Sequence, residues 1–518
     1  MLNTSQRMMG SNFPMECEFC SNGKGQNGMK CRFYRTFDEV LMAVKPFGRY
    51  QVYLCVVVLL SSLMWAGNYA FLVFGAQQPY WSCTNTSDWS KPHPPDRVCN
   101  CSTRYVVHRY FYSISEEWML ICDRKWILDI INLTPIGFMF LGSLLASHVG
   151  EWYGRKLGLM GVQFGLCISS TLTVASQNWG MLLFFRCISL FCWGYVKVIT
   201  KSLIMEYTNT KNRMIMVACF QWSIAYIFVG LIAYLTRNWQ MYLIICNLIT
   251  APLLMGYLIF QESPRWLIQH NYIVHAAKIL SDMGSERWNN GKTEVHPQEL
   301  VKIPRDNITG RYWIKHLFKD RTTARVTLVQ LVSILAYSFT NSAFLFRTNM
   351  LGINPFAAIG IYGALRLWVP FVLIVLDNRF HRLGRKHIYL ASLVVMVLSY
   401  GGAIVADSFH EKDSYHIEIV FVMISACTAI TAFEMSITLI TFEYYPTVLR
   451  NLAIGILFAM DHLGALIMLV VATETRSVPS LHILPHALAE AVVIVTLIMG
   501  IFLQVETKHM PMKERLND

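Results

Sequence analysis

The chain has 518 residues, 54% hydrophobic and 15% charged, with Lys plus Arg 44 against Asp plus Glu 32 and a net charge of +12. Soluble domains carry about 25% charged residues, and a soluble chain of this length would need charged surfaces that this composition cannot supply. Disorder is excluded by the hydrophobicity, and collagen-like or disulfide-scaffold chains by 30 glycines and 14 cysteines, which leaves a protein that crosses a membrane many times.

Residues 1–49 are polar and mixed in charge, with no short apolar core before a small-residue cleavage site. They read as a cytosolic N-terminal tail, and the first span as an uncleaved signal anchor. Cys17, Cys20 and Cys31 offer the Cys-x2-Cys spacing of a zinc site, but a fourth ligand is lacking and no His lies nearby, so no metal and no cofactor are expected. Twelve apolar stretches then follow, each near the ~20 residues a spanning helix needs: 50–74, 127–148, 157–176, 180–204, 214–235, 240–260, 326–346, 355–376, 388–406, 417–441, 451–473 and 484–503. The fold class is an all-α membrane protein of twelve transmembrane helices in two six-helix bundles, 50–260 and 326–503.

The loop 75–126 carries Cys83, Cys99, Cys101 and Cys122, with glycosylation acceptors at Asn85 and Asn100. Together they read as an extracellular, disulfide-bonded, glycosylated loop. Four cysteines allow three pairings, and the sequence does not choose among them. Residues 261–325 form a cytosolic linker in which 264–283 resembles short amphipathic helices at the membrane surface. Residues 504–518 form a cytosolic C-terminal tail. Pro252 and Pro370 are placed to kink spans six and eight. Gly137, Gly142, Gly161, Gly165, Gly455 and Gly464 read as points of close helix packing.

Basic residues set the orientation. Loops with Arg155/Lys156, Lys211/Arg213, Arg379/Arg382/Arg385/Lys386 and Arg450 alternate with sparse loops near 177–179, Arg237, Arg347, Lys412 and Arg476. The basic set is therefore cytosolic, with both termini inside and the sequon-bearing loop outside. Positive loops of this kind are a topology signal; no basic helix with interleaved aromatics suggests nucleic acid.

The halves repeat. Gly154-Arg155-Lys156 follows span two and Gly384-Arg385-Lys386 follows span eight. Glu206, six residues, then Arg213 follows span four; Glu443, six residues, then Arg450 follows span ten. An offset of about 230 residues in each case indicates a duplicated six-span unit, the signature of a transporter with a midplane site between related halves.

Glu117-Trp118-Met119-Leu120-Ile121-Cys122-Asp123-Arg124-Lys125-Trp126, Glu262-Ser263-Pro264-Arg265-Trp266-Leu267, Glu443-Tyr444-Tyr445-Pro446-Thr447-Val448-Leu449-Arg450-Asn451 and Glu506-Thr507-Lys508 resemble the organic cation, organic anion and carnitine transporter family of the major facilitator superfamily. The resemblance covers 45–510. It implies a twelve-span plasma-membrane carrier of small organic ions that works by alternating access. Two departures stand out. The acid expected three residues before the first loop's Gly is Glu151, which keeps the charge, whereas the corresponding residue in the second half is His381, which does not.

Glu151, Arg155, Glu206 and Arg213 are expected to form one cytosolic ion-pair cluster, and Arg385, Glu443 and Arg450 the other, closing the cytosolic gate in one state. The plainer reading of these charges is positive-inside anchoring. Ionisable residues inside the spans usually face a cavity or a partner. Lys197 and Lys201 are four apart, hence on one helix face. Arg366 lies in span eight, Glu434 in span ten, and Asp461 and His462 in span eleven. The resemblance places His462 where cation carriers have Asp and anion and carnitine carriers have Arg. Trp222, Tyr226 and Tyr362 are the aromatic candidates for substrate contact. Two readings stay open: the charges pair with each other and brace the halves, or they flank a charged substrate. The mixed signs favour a zwitterion or an organic anion over a simple quaternary amine.

No Gly-x4-Gly-Lys-Ser/Thr loop, His-Glu-x2-His or Gly-x-Ser-x-Gly pattern is present. The chain is thus expected to be no enzyme, and to run on gradients, with the substrate and the lipid bilayer as its partners. The alternatives are a non-transporting receptor or scaffold of the same fold, and a sugar carrier of the same superfamily.

Overall fold

The computed structural model describes residues 33–45, 47–75, 80–83, 105–108, 111–285, 288, 293–305, 312–347, 355–380, 382–408, 414–475, 483–508, 510 and 512–515. Eleven helical segments among them are long and apolar enough to cross a bilayer. The remaining span, tenth in order, is divided into Ser414–Ile424, a π turn Ser425–Ala429, and Ile430–Tyr444. Spans one to four are Arg49–Phe74, Lys125–Tyr153, Lys156–Val174 and Trp179–Glu206. These lengths follow from the apolar runs, because inside a bilayer every backbone amide must be bonded within its own helix.

Several spans are interrupted. Span five is a short helix Arg213–Ala218 and a longer one Ser223–Thr236. Span six, Trp239–Thr250, passes through a 3-10 turn Ala251–Leu253 into Leu254–Ile259. Pro252 sits in that turn, as its missing amide requires. Span eight breaks between Pro355–Arg366 and Trp368–Arg379. Pro370 cannot donate to the carbonyl four residues back, which is that of Arg366. Spans seven, nine, eleven and twelve are Arg321–Arg347, Arg385–Ser408, Thr447–Thr475 and Leu484–Leu503.

The halves meet along two helix pairs. Span eleven lies on span two, so closely that a Cβ on Gly455 would stand 2.1 Å from the Ser147 Cβ. Span eight lies on span five, where a Cβ on Gly363 would stand 2.5 Å from the Ser223 carbonyl. Adding a methyl group at either place would push the halves apart, a change that typically costs about 1–3 kcal/mol in a packed core. Gly137 and Gly161, by contrast, have nothing within 4 Å of a built Cβ and are not packing points.

Two features depart from an all-helical chain with loose tails. Strands Tyr80–Cys83 and Tyr105–His108 pair antiparallel in the first loop. The N-terminal segment holds a helix, Phe37–Val44, with Phe37, Val40, Leu41 and Val44 buried. Cys122 is disulfide-bonded. Cys99, Cys101, Asn85 and Asn100, like Cys17, Cys20, Cys31 and His381, lie outside the described residues. Of the linker helices, Ile273–Gly284 is amphipathic and buries Ile279 and Leu280, whereas Pro264–Gln269 is no surface helix: all six of its residues, Trp266, Leu267 and Ile268 among them, are buried in the protein.

Candidate substrate cavity and charged closure

A central cavity of about 60 Å³ lies where spans one, four, five, seven, eight, ten and eleven converge. Lys197, Lys201, Trp222, Tyr226, Arg366, Glu434, Asp461 and His462 all line it. Tyr362 does not: it is fully buried behind Arg366, stacked on Phe344 at 4.5 Å between ring centroids. The cavity also takes in Trp65, Tyr69, Trp193, Tyr337 and Asn341, which the charge pattern gave no reason to single out as site residues.

The two lysines of span four each take an acid from the other half. Lys197 Nζ is 2.7 Å from Asp461 Oδ2, and Lys201 Nζ is 3.2 Å from Glu434 Oε1. Both ammonium groups stand 4.5 Å from the centre of the Phe458 ring. The Tyr337 hydroxyl donates to the second oxygen of Glu434 at 3.2 Å. These contacts compensate charges that would otherwise cost several kcal/mol at bilayer depth.

Arg366 is arranged differently. Its Nε donates to Thr431 Oγ1 at 2.5 Å and its Nη1 to the Tyr362 hydroxyl. That hydroxyl donates onward to Asn341 Oδ1 at 2.8 Å. Neutral oxygens therefore hold the guanidinium, and no carboxylate pairs with it among the described residues. His462 is buried against Trp193, with ring centroids 5.4 Å apart, and its Nε2 has no hydrogen-bond partner. Three cations thus face two carboxylates in the cavity, His462 aside.

Aromatic rings line the cavity beside these charges, with the centre of the Trp193 ring 5.2 Å from Lys197 Nζ. Trp193 stacks on Tyr69 at 5.8 Å and meets Trp222 edge-on at 5.4 Å, and Trp222 meets Tyr226 at 5.9 Å. Trp222 stands at the break in span five and Arg366 at the break in span eight. In spans five and eight the irregular backbone lies beside the cavity, and a membrane tolerates such backbone where it is buried in protein or lines a cavity.

At the end of the molecule where Asp38 and Glu514 meet Arg265, a second charge network closes the two halves. Arg155 Nη2 donates to Glu151 at 3.2 Å and to Glu206 at 3.1 Å. Arg213 pairs with Glu443 at 3.4 Å, and Arg450 faces Glu206 at 3.9 Å. The two expected self-contained clusters are therefore corrected: Arg213 and Arg450 each cross to the acid of the other half. Arg385 pairs with Asp377 at 2.5 Å and approaches Glu443 at 3.7 Å. Asp377, which Lys508 also reaches at 3.2 Å, thus supplies the acid that the sequence comparison found missing at His381. Asn451 donates across the halves to the carbonyls of Ala146 at 3.0 Å and Ser147 at 2.8 Å.

Three further residues join this network from the linker and tails. Arg265 pairs with Asp38 at 2.5 Å and with Glu514, and its Nε donates to the Glu206 carbonyl at 3.3 Å. Burial alone would raise the Asp38 carboxyl, but Arg265 and Arg213 outweigh it and hold the group below the usual carboxylate range. The motif glutamates have a different task. Glu262 accepts from the amides of Arg155 at 2.8 Å and Lys156 at 3.0 Å, and Glu506 from those of Arg385 at 2.8 Å and Lys386 at 3.1 Å. Each carboxylate caps a helix start. A Cβ at Gly154 or Gly384 would stand 2.5 Å or 1.8 Å from the carboxylate, and Gly154 also has φ +93°, so both loops need glycine.

Two halves closed at one end around a cavity between them define a membrane carrier of the major facilitator fold. The chain belongs to the sugar (and other) transporter family, whose description matches residues 54–516. Among its relatives are solute carrier family 22 member 2 of Rattus norvegicus, 26% identical over 377 residues, and member 16 of Homo sapiens, 25% identical over 353 residues. The first match covers 71% of this chain and 65% of the relative, and the second 65% and 58%, so the chain matches only about two thirds of these relatives' length. These relatives are members of the organic ion transporter family that the motifs resemble. An uncharacterized Caenorhabditis elegans protein is 22% identical over 88% of this chain and 92% of its own. The proton:xylose symporter XylE bound to 6-bromo-6-deoxy-D-glucose superposes with a TM-score of 0.63 at 15% identity, covering 90% of this chain and 98% of XylE. The inward open XylE from E. coli gives 0.55 at 14% identity, covering 89% and 98%. These structures share the fold. The protein is a multi-pass membrane protein, and its relatives are transporters, not enzymes.

Proposed function

We propose that the protein is a gradient-driven carrier of small organic ions across the plasma membrane, with the charged, closed end in the cytosol, and that it prefers a zwitterion or an organic anion. The observation that carries the preference is Arg366, a buried cavity cation that donates to Thr431 and Tyr362 and, among the described residues, forms no ion pair. A guanidinium with neutral partners is suited to a carboxylate, which it binds through charge-assisted hydrogen bonds. The Trp193, Trp222 and Tyr226 wall would take the flat, apolar or cationic remainder of the substrate. Lys197 and Lys201, already neutralised by Asp461 and Glu434, brace the halves around it.

A cavity of about 60 Å³ is far smaller than the ~300–1,000 Å³ of typical ligand sites. Substrate therefore enters by moving the aromatic wall or opening one end, as alternating access requires. Vesicle uptake of a dicarboxylate, a betaine and a quaternary amine tests the reading. Saturable dicarboxylate or betaine uptake should fall about 100-fold in Arg366→Ala, the usual scale for losing one buried charge-assisted contact. Amine uptake that survives Arg366→Ala and disappears in Glu434→Gln would instead make this a cation carrier.

A further inference from the structure

Outside the cavity, three sulfur atoms from two spans meet. Cys55 lies in span one and is buried; its thiol is 3.1 Å from the thioether sulfur of Met216, itself fully buried. The Cys219 thiol lies near enough to interact with the same Cys55 thiol. Met216 and Cys219 are three residues apart on one face of the short helix in span five and its closing turn. Both cysteines are free thiols. No ion pair, cavity contact or closure described above uses any of the three.

We propose that Cys55, Met216 and Cys219 form a binding site for one soft monovalent d10 metal ion, of the copper(I) class. Thiolate and thioether sulfur select such ions over zinc, magnesium or calcium, which prefer nitrogen and oxygen or a fuller ligand set. Charge gives a second reason. A monovalent ion that displaces one thiol proton leaves the site neutral: one positive charge enters and one proton departs, with no change of oxidation state. The remaining thiol and the thioether complete three-coordination as neutral donors. A divalent ion, or a second thiolate, would leave net charge at bilayer depth, where it costs several kcal/mol.

The site also has a mechanical consequence. Phe220, Gln221 and Trp222, directly after Cys219, line the cavity. An ion held by the three sulfurs ties span one to the break in span five and fixes the residue that leads into that wall.

Silver(I) is the redox-silent probe. The purified, reduced full chain is titrated with silver in the presence of excess glutathione, which strips ions from single thiols, and retained metal is counted per folded protein. Wild type should retain one equivalent more than Cys55→Ser and one more than Met216→Leu. The leucine variant keeps both thiols and nearly conserves volume, so it separates a three-sulfur site from a plain thiol pair and from misfolding. Equal retention in wild type and Met216→Leu, or in wild type and Cys55→Ser, overturns the site. This outcome is independent of which organic ion the carrier moves.

Discussion

The charged end and the cavity use the same chemistry to different effect. At the charged end, Arg155, Glu206 and Arg450 have no exposed side-chain surface, and Glu206 and Glu443 each serve two guanidinium groups from different halves. In the cavity, Lys197 and Asp461 keep 13% and 11% of their side-chain surface open, and each lysine has a single acid. A buried charge with several partners holds one arrangement firmly. A two-membered pair beside open space can exchange one partner for another. The first suits a closure that has to hold, and the second a site through which charged solutes pass.

The largest expected effect tests the closure. Glu206→Gln leaves Arg155 and Arg450 without their shared acid, and should lower the unfolding free energy of the closed state by about 3–5 kcal/mol, the usual range for an orphaned buried charge. Thermal melts of the purified protein check it. If Glu206→Gln cost no more than Glu434→Gln, the contrast between the two regions would be wrong.

A smaller effect sharpens the cavity side. Lys201→Met and Glu434→Leu should each destabilise, while the double variant should recover most of the loss, giving a coupling of about 1–3 kcal/mol in a double-mutant cycle. Additive losses would mean that the pair seen at 3.2 Å contributes nothing by being a pair.

The smallest effect lies at the margin of the closure. Asp38→Asn removes one of two acids from Arg265, and should cost about 1–2 kcal/mol because Glu514 remains. The Asp38 carboxyl sits below its unfolded value, so its contribution is complete above about pH 4–5 and fades as pH falls through the lowered folded value. Melting curves of wild type and variant should stay apart at neutral pH and converge in acid. A gap that widens on acidification would reverse the assignment.

Much of this was legible in the sequence, for physical reasons. Apolar runs announce spans because lipid leaves the backbone no other solution. The lysines at 197 and 201 declared a shared face through their spacing. Pro370 announced a break whose position, at Arg366, follows from the carbonyl it cannot satisfy. The crossing of Arg213 to Glu443 and Arg450 to Glu206 was not legible, because spacing within a half says nothing about which half a side chain faces. Nor was the break at 219–222, which has neither Gly nor Pro to mark it. Asp38, Arg265 and Glu514 read as ordinary tail and linker charges until the fold set them together. Asp377 was overlooked because it lies a turn before the position at which an acid was expected.

Glu262 and Glu506 have a consequence for how the chain is assembled. Each stands just past the last span of its bundle and clasps the loop that joins that bundle's second and third spans. Every half is thus buckled by its own trailing edge before the next segment begins. Two halves synthesised as separate polypeptides would each arrive already fastened, needing only to find one another.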